Sequence, residues 1–228
     1  MKPIYFTAAS FDFLRELARH NHRDWFSAHQ QDYEQTLRMP FQRLIADLAE
    51  PLCTISQHLV ADPRKVGGSL FRQHRDTRFS KDKSIYKTWI GARFFHQRGK
   101  QVEAPSFYLH IAPGDCFFGG GLWHPQPDTL KKLRNFLDEN PNTWRQATMQ
   151  AGFRERYAFW GESLSRAPRG VDPAHPLIED LKRKSLACGV PLSASEVLGH
   201  RLPEIVLGHM RAIAPMLDYL CAALDLDF

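Results

Sequence analysis

The chain has 228 residues, 43% of them hydrophobic and 24% charged, a balance that excludes a disordered protein and suits one large domain or two small ones. A net charge of +5 and a pI of about 9.1 favour anionic partners, yet fall short of a protein that coats DNA. There is no run of eighteen apolar residues and no apolar N-terminal run, so neither a membrane span nor a signal peptide is expected.

In chain order, the N-terminal quarter reads as helices. Phe11, Leu14 and Leu17 recur at helical spacing after Ser10. Asn21 and Asp24 form a capping-box-like pair that opens a second helix carrying Trp25, Phe26, Tyr33 and Leu37. Pro40 breaks that helix or opens the next, whose stripe is Phe41, Leu44, Ile45 and Leu48. The period then changes. Leu70 to Arg75, Tyr86 to His96, Ser106 to Ile111 and Cys116 to Trp123 read as strands, with Pro113-Gly114-Asp115 as a turn. Short connections favour an antiparallel sheet. Apolar residues on both strand faces imply either helices on both sides or one face lining a pocket. Helices return after Pro125: Asp128 leads Leu130, Leu133, Phe136 and Leu137, Asn142 leads toward Trp144, and further helices begin near Ile178 and Pro203. The expected fold is a single α+β domain over residues 1–228, an antiparallel sheet in the middle of the chain packed by N- and C-terminal helices.

Charge is concentrated between Phe71 and Thr88. Arg72, Arg75, Arg78, Lys81, Lys83 and Lys87 are set against only Asp76 and Asp82, a net +4 of the chain's +5. Crowded cations repel unless an anion or solvent separates them. Guanidinium forks match phosphate or carboxylate, and lysines add point charge. Arg72, Arg75, Arg78, Lys81, Lys83, Tyr86 and Lys87 are therefore the candidate anion-binding residues, and Asp76 and Asp82 the weak candidates for acid–base work. The bland alternative is a solvated loop of weak ion pairs. Ser80 and Lys83 match an S-x-x-K spacing, but its partner signatures are missing.

Gly119, Gly120 and Gly121, followed by Trp123, are the second oddity. Three glycines weaken a strand, so either a bulge is needed or something approaches closely, which makes these residues a candidate pocket floor. No Gly-Lys-Ser/Thr follows, so this is not a P-loop. His74, His110 and His124 lie on or beside strands, but nothing in their spacing specifies a metal site and none is assigned. No cofactor is indicated either. Cys53, Cys116, Cys188 and Cys221 form no CxxC pair and fit a reducing cytoplasm. Lys182-Arg183-Lys184 is a second basic patch, expected on an exposed helix face, or as an extension of the anion site should it fold close by.

Several of these segments together resemble one family, domain of unknown function 2461. They are Asn21-His22-Arg23-Asp24-Trp25-Phe26, the run from Arg75 to Lys83 with Tyr86-Lys87-Thr88, Tyr108-Leu109-His110-Ile111, Phe118 to Trp123, and Pro168-Arg169-Gly170. Ile85 stands where that family usually has proline. The resemblance implies a single globular domain, found mainly in bacteria and fungi, and brings no activity with it.

Three functions compete on the residues alone. The first is an enzyme or sensor for a phosphorylated or otherwise anionic small molecule. The second is a nucleic-acid-binding module. In the third the cations pair with acids such as Asp12, Asp24, Glu34 or Glu155 and serve the fold.

Overall fold

The computed structural model describes residues 3–78, 81–150 and 152–228. Six strands form one antiparallel sheet: β1 (Leu59–Val60), β2 (Ile90–His96), β3 (Ser106–Ile111), β4 (Cys116–Leu122), β5 (Ala158–Phe159) and β6 (Leu186–Leu192), in the order β1-β2-β3-β4-β6-β5. Before the sheet come α1 (Ala8–Arg19), α2 (Arg23–Ala28), α3 (Gln30–Tyr33), a π-helical turn (Glu34–Arg38) and α4 (Met39–Cys53). After β4 come α5 (Pro127–Glu139), α6 (Pro141–Thr148), α7 (Phe153–Arg156), α8 (Ile178–Leu181), α9 (Ala194–Val197) and α10 (Leu202–Ala222). The architecture is α+β, with the antiparallel sheet in the middle and helices on either side of it in sequence.

Several local expectations are corrected. His22, not Asn21, caps α2, accepting from the Trp25 N–H. Asn21 is used elsewhere: its side-chain amide donates to the Tyr86 carbonyl and accepts from the Tyr86 N–H, both at 2.9 Å. The segment from Leu70 to Arg75 forms only isolated bridges, Leu70 to Ala92 and His74 to Tyr86, and β2 begins at Ile90. Pro40 sits in the first turn of α4, where its missing N–H costs nothing.

One face of the sheet is the core. Ala92, Phe94, Phe107, Leu109, Phe118 and Cys188 are fully buried there, and α10 packs over them. Gly120 shows why the β4 strand carries glycine: a Cβ there would stand about 3 Å from Phe107, Ile213 and Leu217, so α10 rests on bare backbone. The strand has no bulge. Its register is unbroken against β3 from Ser106–Gly121 to His110–Phe117, and against β6 from Cys116–Leu192 to Leu122–Leu186. Among the described residues, α10 is the one helix long and apolar enough to cross a membrane. Here its apolar stripe of Val206, Met210, Ile213, Leu217 and Leu220 is buried within the protein.

A buried carboxylate ties the small C-terminal elements together. Asp180 accepts from the Trp144 indole N–H (2.8 Å), from Arg154 (2.7 Å) and from Arg183 (3.3 Å). Both guanidinium groups also flank the Phe159 ring, at 4.5 and 4.7 Å.

Candidate functional site

The other face of the sheet is open. Because side chains alternate along a strand, the pairing of β2, β3, β4 and β6 sets three cross-strand rows on it: Gly91, His110, Phe117, Pro191; then Arg93, Tyr108, Gly119, Gly189; then Phe95, Ser106, Gly121, Ala187. The first row is bulky, and the second and third dwindle to glycine, serine and alanine toward β6. The result is a trough with aromatic walls, a groove of about 910 Å³ lined by Phe71, Trp89, Tyr108, Phe117, Trp123 and Trp160 among others. That size suits a small molecule.

The glycines have separate roles. Gly119 and Gly189 make a slot for the Trp160 ring, since a Cβ on Gly189 would fall inside that ring. Gly121 has φ +126, and a Cβ there would strike the backbone of Leu186 and Ala187, so close approach of β6 excludes any larger residue. Gly119, Gly120, Gly121 and Trp123 all line the groove, although the missing side chain of Gly120 faces the core. Trp123 is 56% exposed and stands at the rim.

Arg93 is the charged group that the groove itself holds. It lies in the middle row, exposed to solvent, with its guanidinium 6.0 Å from the Phe95 ring centre, and partial burial lowers its pKa. No carboxylate among the described residues pairs with it. Lys100 also lines the groove, and its charge adds a small part to the effect of Arg64 in holding the Asp62 carboxyl low. The one acid of the lining, Glu103, accepts from the Gln126 N–H. At the end of the groove the half-buried Lys87 ammonium stands 4.9 Å from the Trp89 ring and 5.4 Å from Phe71, and donates to the Arg72 carbonyl at 2.6 Å. Burial first, and the Arg72 charge second, lower its pKa.

The rest of the basic segment is stitched to itself. Arg78 makes a fork to Asp76 at 2.9 and 2.7 Å. Arg75 bonds Asp82 and the Ser84 hydroxyl, and Lys83 donates to the Thr77 carbonyl at 3.0 Å. Asp82 is held down to about 2 by the Ser84 N–H first and Arg75 next, and Arg78 likewise holds Asp76 low. Both acids therefore stay ionised near neutral pH, which suits them to orienting arginines and not to passing protons. Lys81 and Arg72 are exposed. Tyr86, expected among the ligand-binding residues, is 3% exposed and stacks on Phe26 at 4.1 Å, so it anchors the segment instead. Of the acids considered as partners on the helices, Asp12 and Glu34 pair with Arg15 and Arg38 of their own helical stretches. Ser80, and the S-x-x-K spacing with it, lies outside the described residues.

The histidines do not converge. His74 packs at a tilt against Tyr86, His110 bonds the Tyr108 hydroxyl, and the His124 backbone N–H donates to the Ser185 hydroxyl. Among the described residues no group of three or more His, Cys, Asp or Glu side chains is placed to hold a metal. The Lys182 to Arg183 to Lys184 patch follows α8 and is paired residue by residue with Glu179, Asp180 and Glu162.

Sequence reasoning missed Arg93, Trp160 and Gly189. Arg93 had a visible signal, a lone cation inside the apolar run from Trp89 to His96. Trp160 and Gly189 had none, because β5 and β6 were not recognised as strands. Compared with known proteins, the chain matches the family described as Conserved hypothetical protein (DUF2461) over residues 9–219. No curated protein and no solved structure matches it.

Proposed function

The chain belongs to this conserved hypothetical family, and we propose that it binds a small anionic molecule with a flat aromatic body in the groove above Gly119 and Gly121. The observation that carries this reading is Arg93: an exposed side chain on the middle row of the groove, its guanidinium beside the Phe95 ring and without a carboxylate partner among the described residues. A cation in such a place gains most from an anion that brings its own apolar surface. Lys87, beside the lining residues Phe71 and Trp89, is a further cation for a phosphate or carboxylate. The segment from Arg72 to Lys87 thus contributes chiefly by placing Phe71, Trp89 and Lys87. Arg78, Lys81 and Lys83 form its outer, exposed charge, and Arg75 is half-buried behind them. Three of the four cysteines are buried thiols, in keeping with a reducing cytoplasm.

A thermal-shift screen with aromatic carboxylates, aryl phosphates and nucleotides tests this directly. A ligand at a hundredfold over its Kd stabilises by about 2.7 kcal/mol, which raises Tm by roughly 5–10 °C for a chain of this size. Arg93→Gln is expected to abolish the shift and Lys87→Ala to weaken it, with Tm of the unliganded variants nearly unchanged. A shift that survives Arg93→Gln, or none with any anion, overturns the proposal.

A second reading has an observation of its own. Phe71 is 38% exposed beside Lys87 and Trp123 is 56% exposed at the far rim, which is how aromatic platforms present themselves to unpaired bases. Single-stranded nucleic acid would then bind with a steep salt dependence. Affinity for a short oligonucleotide that stays flat with salt, or no affinity, removes it.

A further inference from the structure

Beside Arg93 the groove contains one neutral polar device. His110 is 8% exposed, its ring parallel to Phe117 at 4.6 Å and tilted against Trp89 at 4.8 Å. The Tyr108 hydroxyl bonds its Nδ1 at 2.9 Å. The strand makes room for that hydroxyl, because a Cβ on Gly91 would stand 2.6 Å from it. Packing on its two faces and a hydrogen bond on one nitrogen fix the imidazole in a single orientation. Its Nε2 has no partner among the described residues. Burial lowers the His110 pKa against a smaller opposing effect of Asp115, and burial first and Asp115 second raise that of Tyr108, so both groups are neutral near pH 7.

We propose that the Tyr108–His110 pair selects the ligand's ring, so that the groove takes an aromatic acid bearing a ring hydroxyl, with the acid group on Arg93 and the hydroxyl on His110. This rests on the groove-binding reading above. The register makes the two residues neighbours. Gly91 pairs with His110 and Arg93 with Tyr108, so Arg93 and His110 are diagonal neighbours about 7–8 Å apart at the backbone. Both side chains line the one groove, with the Arg93 guanidinium on the Phe95 side, so a ligand that meets both carries its two polar groups at opposite ends of its ring. The tautomer does not matter, since a phenol both donates and accepts. If Tyr108 donates to Nδ1, Nε2–H donates to the ligand hydroxyl. If Nδ1–H donates to Tyr108, Nε2 accepts from it. A ligand without the hydroxyl leaves the imidazole nitrogen desolvated and unpaired.

Calorimetric titration of the full chain with para-hydroxybenzoate, benzoate and para-methylbenzoate tests the assignment. The wild type is expected to bind the hydroxy acid on the order of ten- to a hundredfold more tightly than the other two. In His110→Phe, which keeps the stacked ring, that preference is expected to disappear while benzoate binding persists. Tyr108→Phe, which keeps the wall but frees Nδ1, is expected to reduce the preference and carries the test if His110→Phe does not fold. Equal affinity for the three acids in the wild type, lost in Arg93→Gln, overturns this assignment and leaves the groove reading standing. A preference that survives both ring variants also overturns it. No binding of any of the three acids overturns it together with the groove reading.

Discussion

His209 and Asp180 show how single residues set the acid limits of this fold. His209 is buried, bonded through Nδ1 to the Tyr157 hydroxyl at 2.9 Å, and held down to about 4 by burial first and the Arg156 charge second. A histidine is near 6.5 when unfolded, so the unfolded chain takes up the extra proton, and stability falls as pH drops from about 6.5 toward 4. Asp180 titrates lower. Burial alone would raise its pKa, but the bonds from Arg154 and Trp144 outweigh burial and lower it. Its contribution is present above the unfolded value of about 3.9 and is lost below it. Chemical denaturation across pH is therefore expected to show two limbs, the upper one removed in His209→Gln. Asp180→Asn is expected to cost roughly 1–3 kcal/mol at neutral pH, because Arg154 and Arg183 lose their carboxylate while Arg154 keeps its bonds to Thr148. Gly189 gives a third residue-scale test. Its backbone φ is ordinary, so Gly189→Ala acts only by evicting the Trp160 ring, at about 1–3 kcal/mol and with a changed tryptophan emission. An unchanged spectrum would mean that the ring does not lie in the slot. Of these three residues the sequence displayed only their types. A depressed histidine or an occupied glycine slot depends on partners tens of residues away.

At the scale of elements, the segment from Arg72 to Lys87 is a pinned loop. The Arg75 N–H donates to Ile85 and the Lys87 N–H to Gln73, both at 2.9 Å, and Asn21 clamps Tyr86 from 65 residues away. Asn21→Ala leaves two backbone groups of Tyr86 without these partners. It is expected to cost about 1–3 kcal/mol and to speed proteolysis within the segment, and unchanged cleavage would show that the clamp is not what holds it. The segment's charge was plain in the sequence, but its internal pairing was not. Which arginine meets which aspartate depends on turns that spacing does not specify. The central strands β2 to β4 and the terminal helices were legible because their periods of 2 and 3.6 are clean, with Ser106 to Ile111 the clearest case, whereas the two-residue β1 is too short to show a period. The strand Leu186–Leu192 was not, since Gly189 and Pro191 are residues that ordinarily argue against a strand. Both belong to the side of β6 that meets the groove face, where small residues are what the Trp160 slot and the close approach to Gly121 require.

For the molecule as a whole, the two sheet faces divide the work. One carries α10 and the core, and the other is left to aromatic walls, a glycine floor and an arginine without a carboxylate partner among the described residues. The triplet from Gly119 to Gly121 serves both, with Gly120 admitting α10 and its neighbours shaping the groove. The five tryptophans provide an internal control for the claim that this open face is the binding surface. Trp89, Trp123 and Trp160 line the groove, whereas Trp144 is in the core and Trp25 stacks between His20 and His29 on the N-terminal helices. The most direct measurement is an NMR titration of the five indole N–H resonances with an aromatic acid. The expected result is that the signals of Trp89, Trp123 and Trp160 move together with one Kd while those of Trp25 and Trp144 stay in place. Movement of Trp25 or Trp144 with the groove signals unmoved would place the ligand elsewhere and contradict the account.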